Sequence, residues 1–177
     1  MNNEVEKVLI NEEEIAACVQ KLADQINKDY QGKEILALII LKGSSVFAAD
    51  LIRKINVPVH IDFMQVSSYG AGTTSGTLKI KKDLEADCTG KHILVIEDIV
   101  DSGNTLYMLK EHLSNTAAAS VKICTLLSKP ARRESDVEIE YIGDIIPDEF
   151  IVGYGLDYAE KYRNLPYIGI LKREVYE

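Results

Sequence analysis

Three carboxylates and a turn of phosphate-binding type fall within nine residues in the stretch Glu97-Asp98-Ile99-Val100-Asp101-Ser102-Gly103-Asn104-Thr105. Glu97 and Asp98 are adjacent, and Asp101 follows three positions on. Ser102 to Thr105 reads as a tight turn opening a helix, with hydroxyls and free backbone N–H groups directed outward. Such a helix start is an anion site, because its unpaired N–H groups and its dipole both favour phosphate. Acids beside a phosphate cradle make chemical sense when something positive lies between them, either Mg²⁺ or a cationic transition state. The apolar run Ile93 to Ile96 that precedes the acids reads as a strand buried on both faces, the kind found in parallel sheets.

The surrounding elements must hold that stretch in place. Asn11 is a helix cap with Glu14 three residues on, and Ile15, Val19, Leu22 and Ile26 then share one face as far as Gln31-Gly32. Ile35 to Leu41 reads as the first buried strand. It runs into Lys42-Gly43-Ser44-Ser45 and a helix with Ala48, Ile52 and Ile55 inward. Pro58 to Val66 alternates as a second strand. Small polar residues from Ser67 to Thr77 follow it, and a flexible lid loop is expected over about 67–78.

After the acidic strand, Leu106, Leu109 and Leu113 mark the inner side of a helix. Val121 to Leu127 is the next strand and ends at Ser128-Lys129-Pro130; a shorter one is expected near Ile139 to Ile142. Phe150-Ile151-Val152-Gly153 leads to Asp157, and Ile168 to Leu171 is the last candidate strand. Strands alternating with helices predict an α/β fold with a mainly parallel central sheet flanked by helices. No repeat or linker divides the chain, so 1–177 is expected to be one domain. In such sheets ligands bind beyond the carboxyl ends of the strands. Those ends carry Lys42-Gly43, Glu97-Asp98 with Asp101, Lys129, and Asp157.

Composition narrows the function classes. The 177 residues are 46% hydrophobic and 27% charged, an ordinary globular balance. A net charge of −8 argues against a nucleic-acid surface, which needs a basic stripe. Cys18, Cys88 and Cys124 are scattered, as are His60, His92 and His112, so neither disulfides nor a zinc site is expected. The polar, acidic start and the short apolar runs predict a cytoplasmic protein without a membrane span. Residues 93–98 alone could pass for a Walker B strand, but no Gly-Lys is followed by Ser or Thr. Leu41-Lys42-Gly43-Ser44-Ser45 likewise does not supply a dinucleotide-binding glycine pattern.

Residues 93–105 resemble the phosphoribosyl pyrophosphate (PRPP) signature of type I phosphoribosyltransferases. More closely, the chain is similar to the hypoxanthine-guanine phosphoribosyltransferases of purine salvage. Leu41-Lys42-Gly43, Ser68-Tyr69-Gly70, Leu126 to Lys129, and Phe150 through Asp157 to Arg163 carry that likeness in order and spacing. The resemblance implies the type I fold with a small hood and a lid. It also implies transfer of the phosphoribosyl group from PRPP to N9 of hypoxanthine or guanine, with Mg²⁺ as cofactor and release of pyrophosphate.

The residue roles follow from the same resemblance. Glu97 and Asp98 hold the ribose hydroxyls, partly through Mg²⁺, and Asp157 is a further metal ligand at the purine side. Ser102, Gly103, Asn104 and Thr105 wrap the 5′-phosphate. Asp101 is the general base at N7, Lys129 donates to O6, Phe150 stacks on the purine, and the backbone at Ile151 reads its far edge. Arg163, Lys42 and Gly43 hold pyrophosphate, with a cis peptide beside Lys42, and Ser68 and Tyr69 close over the reacting centre. Asn104 departs from the commonest animal pattern, Lys, and points to a bacterial type. A homodimer or homotetramer is implied. A xanthine-preferring enzyme and a non-catalytic PRPP sensor are the alternatives, and the absence of a basic surface together with the presence of Asp101 weighs against the sensor.

Overall fold

All six side chains of β2 (Ile35–Ile40) are buried, and their parity explains how the chain is layered. In the computed structural model, which describes residues 2–69 and 77–177, Ile35, Ala37 and Ile39 face one helical layer. That layer consists of α1 (Glu12–Asp29) and α2 (Ser44–Ile52), which contribute Val19, Leu22, Phe47 and Leu51. Leu36, Leu38 and Ile40 point the other way, onto Leu106, Leu109 and Leu113 of α3 (Asn104–Ser114). Because successive strand residues alternate faces, an unbroken apolar run requires cover on both sides. β5 (His92–Val100) repeats the arrangement, with Leu94 and Ile96 on the first side and Ile93 and Val95 on the second.

The main sheet has the order β4-β3-β2-β5-β6-β7. Its remaining strands are β3 (Val59–Tyr69), β4 (Thr77–Lys82), β6 (Ser120–Ser128) and β7 (Tyr141–Ile145). All neighbours are parallel except β3 and β4. A second, antiparallel sheet forms the hood from β1 (Val5–Ile10), β9 (Ile168–Leu171) and β8 (Ile151–Val152), with the short α4 (Arg173–Tyr176) after it. No helix among the described residues is long and apolar enough to cross a membrane.

The expected cap at Asn11 is a full capping box: Glu14 N–H donates to Asn11 Oδ1 at 2.9 Å and Asn11 N–H to Glu14 Oε2 at 2.8 Å. Other expectations shift. Residues 67–69 and 77–78, expected within a loop, are paired strands, with Ser67 opposite Lys79 and Tyr69 opposite Thr77. Residues 70–76 of that segment lie outside the described residues. β5 runs on to Val100, so Glu97 and Asp98 belong to the strand rather than follow it. β1 had no counterpart in the sequence reading, because Glu6, Lys7 and Val8 are all exposed and two register shifts break the alternation. β7 begins two residues later than expected.

One buried acid fastens β3 to the chain leaving β4. Asp62 accepts 2.7 Å hydrogen bonds from the backbone N–H groups of Phe63, Glu85 and Ala86. Burial pushes its carboxyl up, but the bonds from Ala86, Phe63 and Glu85 outweigh it and hold the group below the usual carboxylate range. A depressed folded value means that the stabilisation is present above the unfolded value, about 3.9, and lost as pH falls through the folded one. Asp62→Ala is therefore expected to lower stability by about 2–3 kcal/mol at neutral pH. In urea titrations the gap between wild type and variant should narrow below about pH 4; a gap constant down to pH 3 would contradict the assignment.

Candidate active site

Strand order reverses between β2 and β5, since β3 lies outside one and β6 outside the other. Open parallel sheets bind ligands at that switch point, beyond the carboxyl ends of the strands. A cavity of about 330 Å³ occupies this position. Lys42 and Gly43 line it after β2, and Glu97, Asp98 and Asp101 at the end of β5. Ser102, Gly103 and Thr105 follow in the turn, while Asp157 and Arg163 reach in from the hood.

The turn after β5 is braced from one side by the segment that follows Lys129. Gly103 caps α3 with φ of +81°, and a Cβ there would meet Arg133 Cδ at 2.8 Å; both facts call for glycine. Arg133 donates through Nε to Asp101 O at 3.3 Å and through Nη2 to Ser128 Oγ at 3.0 Å. Ser102 O accepts from Glu134 N–H at 2.9 Å and Ser135 N–H at 3.1 Å. The Asn104 side chain is turned into this brace, donating to Glu134 Oε2 at 2.7 Å and accepting from the Ser135 hydroxyl. What Asn104 offers the turn is its backbone.

The three acids occupy different environments. Glu97 Oε1 accepts from Asp98 N–H at 3.1 Å, and Asp98 Oδ1 accepts from Ile99 N–H at 2.7 Å. Burial and then the Asp98 charge push the Glu97 carboxyl well up; burial also raises Asp98, against the pull of its hydrogen bonds and Arg163. Two adjacent acids with too little positive charge nearby suit a cation or hydroxyl donors delivered by a ligand. Asp98 also lies against the β2 loop: a Cβ on Gly43 would stand 1.8 Å from Asp98 Oδ2. Asp101 differs. Its Oδ1 is buried and makes no hydrogen bond among the described residues, while Oδ2 lies 3.6 Å from Arg132 Nη1. Arg132 is itself anchored by Asp148 through Nε at 2.5 Å.

Positive charge gathers at the other end. The Leu41–Lys42 peptide is cis, as the resemblance implies. Gly155, at φ of +100°, packs on this loop so closely that a Cβ would lie 2.1 Å from Gly43 O. Arg163 donates to Gly155 O at 2.8 Å and pairs with Asp157 Oδ1 at 2.9 Å, and its Nε is buried without a hydrogen bond among the described residues. Lys42 Nζ bonds Glu160 Oε2 at 2.9 Å. Among the described residues no three His, Cys, Asp or Glu side chains form a group able to hold a metal, so Glu97, Asp98 and Asp157 are not a preformed cage. That donor set fits Mg²⁺, which is bound through one or two carboxylates and completes its shell with substrate oxygens and water.

Of the residues expected at the purine, Asp101 and Asp157 line this cavity, whereas Lys129, Phe150 and Ile151 do not. Lys129 follows β6, is only 6% exposed, and donates from Nζ to Glu149 O at 2.7 Å. Burial lowers its pKa, and Asp101 partly opposes that. Phe150 stacks on Tyr176 with ring centres 4.6 Å apart and meets the edge of Tyr158 at 5.5 Å. Ile151 opens β8 and is buried. Ser68 and Tyr69 end β3, paired with Leu78 and Thr77. Sequence reasoning missed Arg132, Arg133, Gly155 and Glu160. The adjacent arginines after Lys129-Pro130 were the only available signal; the Lys42–Glu160 pair spans 118 positions and leaves none.

An acidic strand running into a braced anion turn at the switch point of a parallel sheet, under an antiparallel hood, defines a phosphoribosyltransferase of type I fold. The chain belongs to that family: the phosphoribosyl transferase domain matches residues 6–159. Within it the chain is 51% identical to the hypoxanthine-guanine phosphoribosyltransferase of Staphylococcus aureus (strain Mu50), over 99% of each chain. It is 50% identical to the bifunctional protein TilS/HprT of Listeria monocytogenes; 99% of this chain is matched, but it spans 27% of that protein's length. A crystal structure of a hypoxanthine phosphoribosyltransferase from Staphylococcus aureus superposes with a TM-score of 0.96 at 50% identity, covering 100% of this chain and 97% of the other.

Proposed function

We infer that the chain is a purine salvage enzyme that transfers the 5-phosphoribosyl group from PRPP to N9 of hypoxanthine, guanine or both, giving IMP or GMP and pyrophosphate. The observation that carries this reading is one cavity in which a half-buried acid pair lies between an anion turn and the Lys42–Arg163 cations. PRPP has the same order of groups, a ribose between a 5′-phosphate and a pyrophosphate.

Backbone N–H groups of Ser102 to Thr105 take the 5′-phosphate. Glu97 and Asp98 accept from the ribose hydroxyls, and their charge favours the oxocarbenium character that C1′ gains as pyrophosphate leaves. Arg163, Lys42 and the Gly43 backbone receive the pyrophosphate. Asp101 Oδ1, a buried acceptor without a donor among the described residues, takes the N7 proton as N9 attacks. Lys129 donates to O6, the backbone at Ile151 reads the far edge, and Phe150 stacks on the ring. The Glu97–Asp98 pair and Asp157 would hold Mg²⁺, which when bound would supply positive charge against the pyrophosphate. Ser68 and Tyr69 close over the centre and exclude water. The enzyme works in the cytoplasm as a homodimer or homotetramer, for which exposed Ile61 and Phe63 of β3 offer an apolar strip.

The test is a panel assay of purified protein, PRPP and Mg²⁺ with hypoxanthine, guanine, xanthine or adenine. Nucleotide is expected from hypoxanthine or guanine and little from the others. Product from no base would leave only PRPP binding and overturn the reading; dominant xanthine use would redirect it.

A further inference from the structure

Glu160 stands on the cations assigned to pyrophosphate. Its Oε2 lies 2.9 Å from Lys42 Nζ and 3.6 Å from Arg163 Nη2, so one carboxylate oxygen serves both. The backbone directs it there. Tyr158 and Lys161 exchange hydrogen bonds of 3.2 and 3.0 Å around the two-residue turn Ala159-Glu160. Both central residues are left-handed, with φ of +50° and +62°. That is the turn type in which Asn-Gly is usual, because other side chains crowd the backbone. Asp157 Oδ2 accepts the Glu160 N–H at 2.9 Å and ties the turn to the site. Neither Ala159 nor Glu160 is suited to this conformation, and its consequence is a carboxylate held over Lys42.

We propose that Glu160 is an internal anion that occupies the pyrophosphate cations between turnovers, weakens pyrophosphate binding and so speeds its release. The proposal rests on the assignment of Lys42 and Arg163 to pyrophosphate. The side chain is 66% exposed and can turn into water without opening the core, so only the ion pairs resist displacement. A pyrophosphate, with several negative charges against one, displaces the carboxylate yet must break those pairs first. It also then meets the Glu160 charge at close range, which further reduces its net affinity. As pyrophosphate departs, the carboxylate returns to Lys42, and to Arg163, which keeps its pair with Asp157 throughout.

Binding of magnesium pyrophosphate to the full chain, measured by calorimetry for wild type and Glu160→Gln, tests this. Glu160→Gln should bind about three- to tenfold more tightly, with a matching fall in the pyrophosphate inhibition constant. Glu160→Ala should move the same way, and KM for hypoxanthine should not change. In a Lys42→Ala background the gain from Glu160→Gln should shrink, because one of the two pairs is already gone. Equal or weaker pyrophosphate binding in both Glu160 variants overturns the proposal, since the carboxylate would then support the site rather than compete for it. Wild-type protein that binds no pyrophosphate refutes the assignment of Lys42 and Arg163 instead.

Discussion

Asp101→Asn lowers kcat by about 10²–10⁴-fold while PRPP still binds. The expectation comes from the two oxygens of Asp101. Oδ2 lies 3.6 Å from Arg132 Nη1. Oδ1 is buried and accepts no hydrogen bond among the described residues, which is the condition for receiving a proton from a bound base. An amide has nearly the same shape but cannot take the proton. The anion turn does not depend on the Asp101 side chain, because Arg133 holds it through the backbone oxygen of Asp101. Calorimetric PRPP binding should therefore survive where steady-state turnover falls. Unchanged turnover would remove Asp101 from the role of base.

Replacement of Lys129 changes selection among bases rather than the phosphoribosyl chemistry. Lys129 is buried at 6% exposure, and the hydrogen bond it makes is to Glu149 O. A charge-assisted hydrogen bond to a 6-oxo group contributes about 1.5–3 kcal/mol, so Lys129→Met, which keeps the stem's packing, should lower kcat/KM for hypoxanthine by about 10–150-fold. Adenine carries a donor where hypoxanthine carries O6, so the cation repels it; losing the cation should narrow the ratio between the two bases. Kinetics with both bases give the answer, and an unaltered ratio would exclude the O6 contact. The two variants also separate the acids from the cation. Asp101→Asn acts on the rate with every base, whereas Lys129→Met acts on the choice between bases.

Much of the architecture was legible because it is encoded over short spans. Asn11 and Glu14 satisfy each other's N–H groups within one helical turn. The apolar runs of β2 and β5 require cover on both faces wherever they sit. The acids and the anion turn are contiguous from 97 to 105, so strand, turn and helix cap could be read as one unit. The resemblance to phosphoribosyltransferases, carried by the same stretch and its counterparts, extended that reading to Lys129, Phe150 and Arg163.

Edge elements were harder to read. β1 and β4 expose alternate or successive polar residues, and what makes them strands is a partner, β9 or β3, far away or across the 70–76 segment. Phe150 was expected to present a free face to a purine, and one of its faces is covered by Tyr176 from the last helix.

The sequence by itself determined the chemistry available to this protein: three carboxylates, an anion turn, and isolated cations at strand ends. Tertiary structure decided which of them act together. Strand order reverses between β2 and β5, and that reversal brings Gly43 against Asp98 and opens the cavity between them. The hood then returns Gly155 to Gly43, Arg163 to Asp157 and Glu160 to Lys42. Local patterns depend on the backbone's few allowed conformations and on side-chain periodicity. A contact across 118 positions depends instead on the path of the whole chain, and no short stretch of residues specifies it.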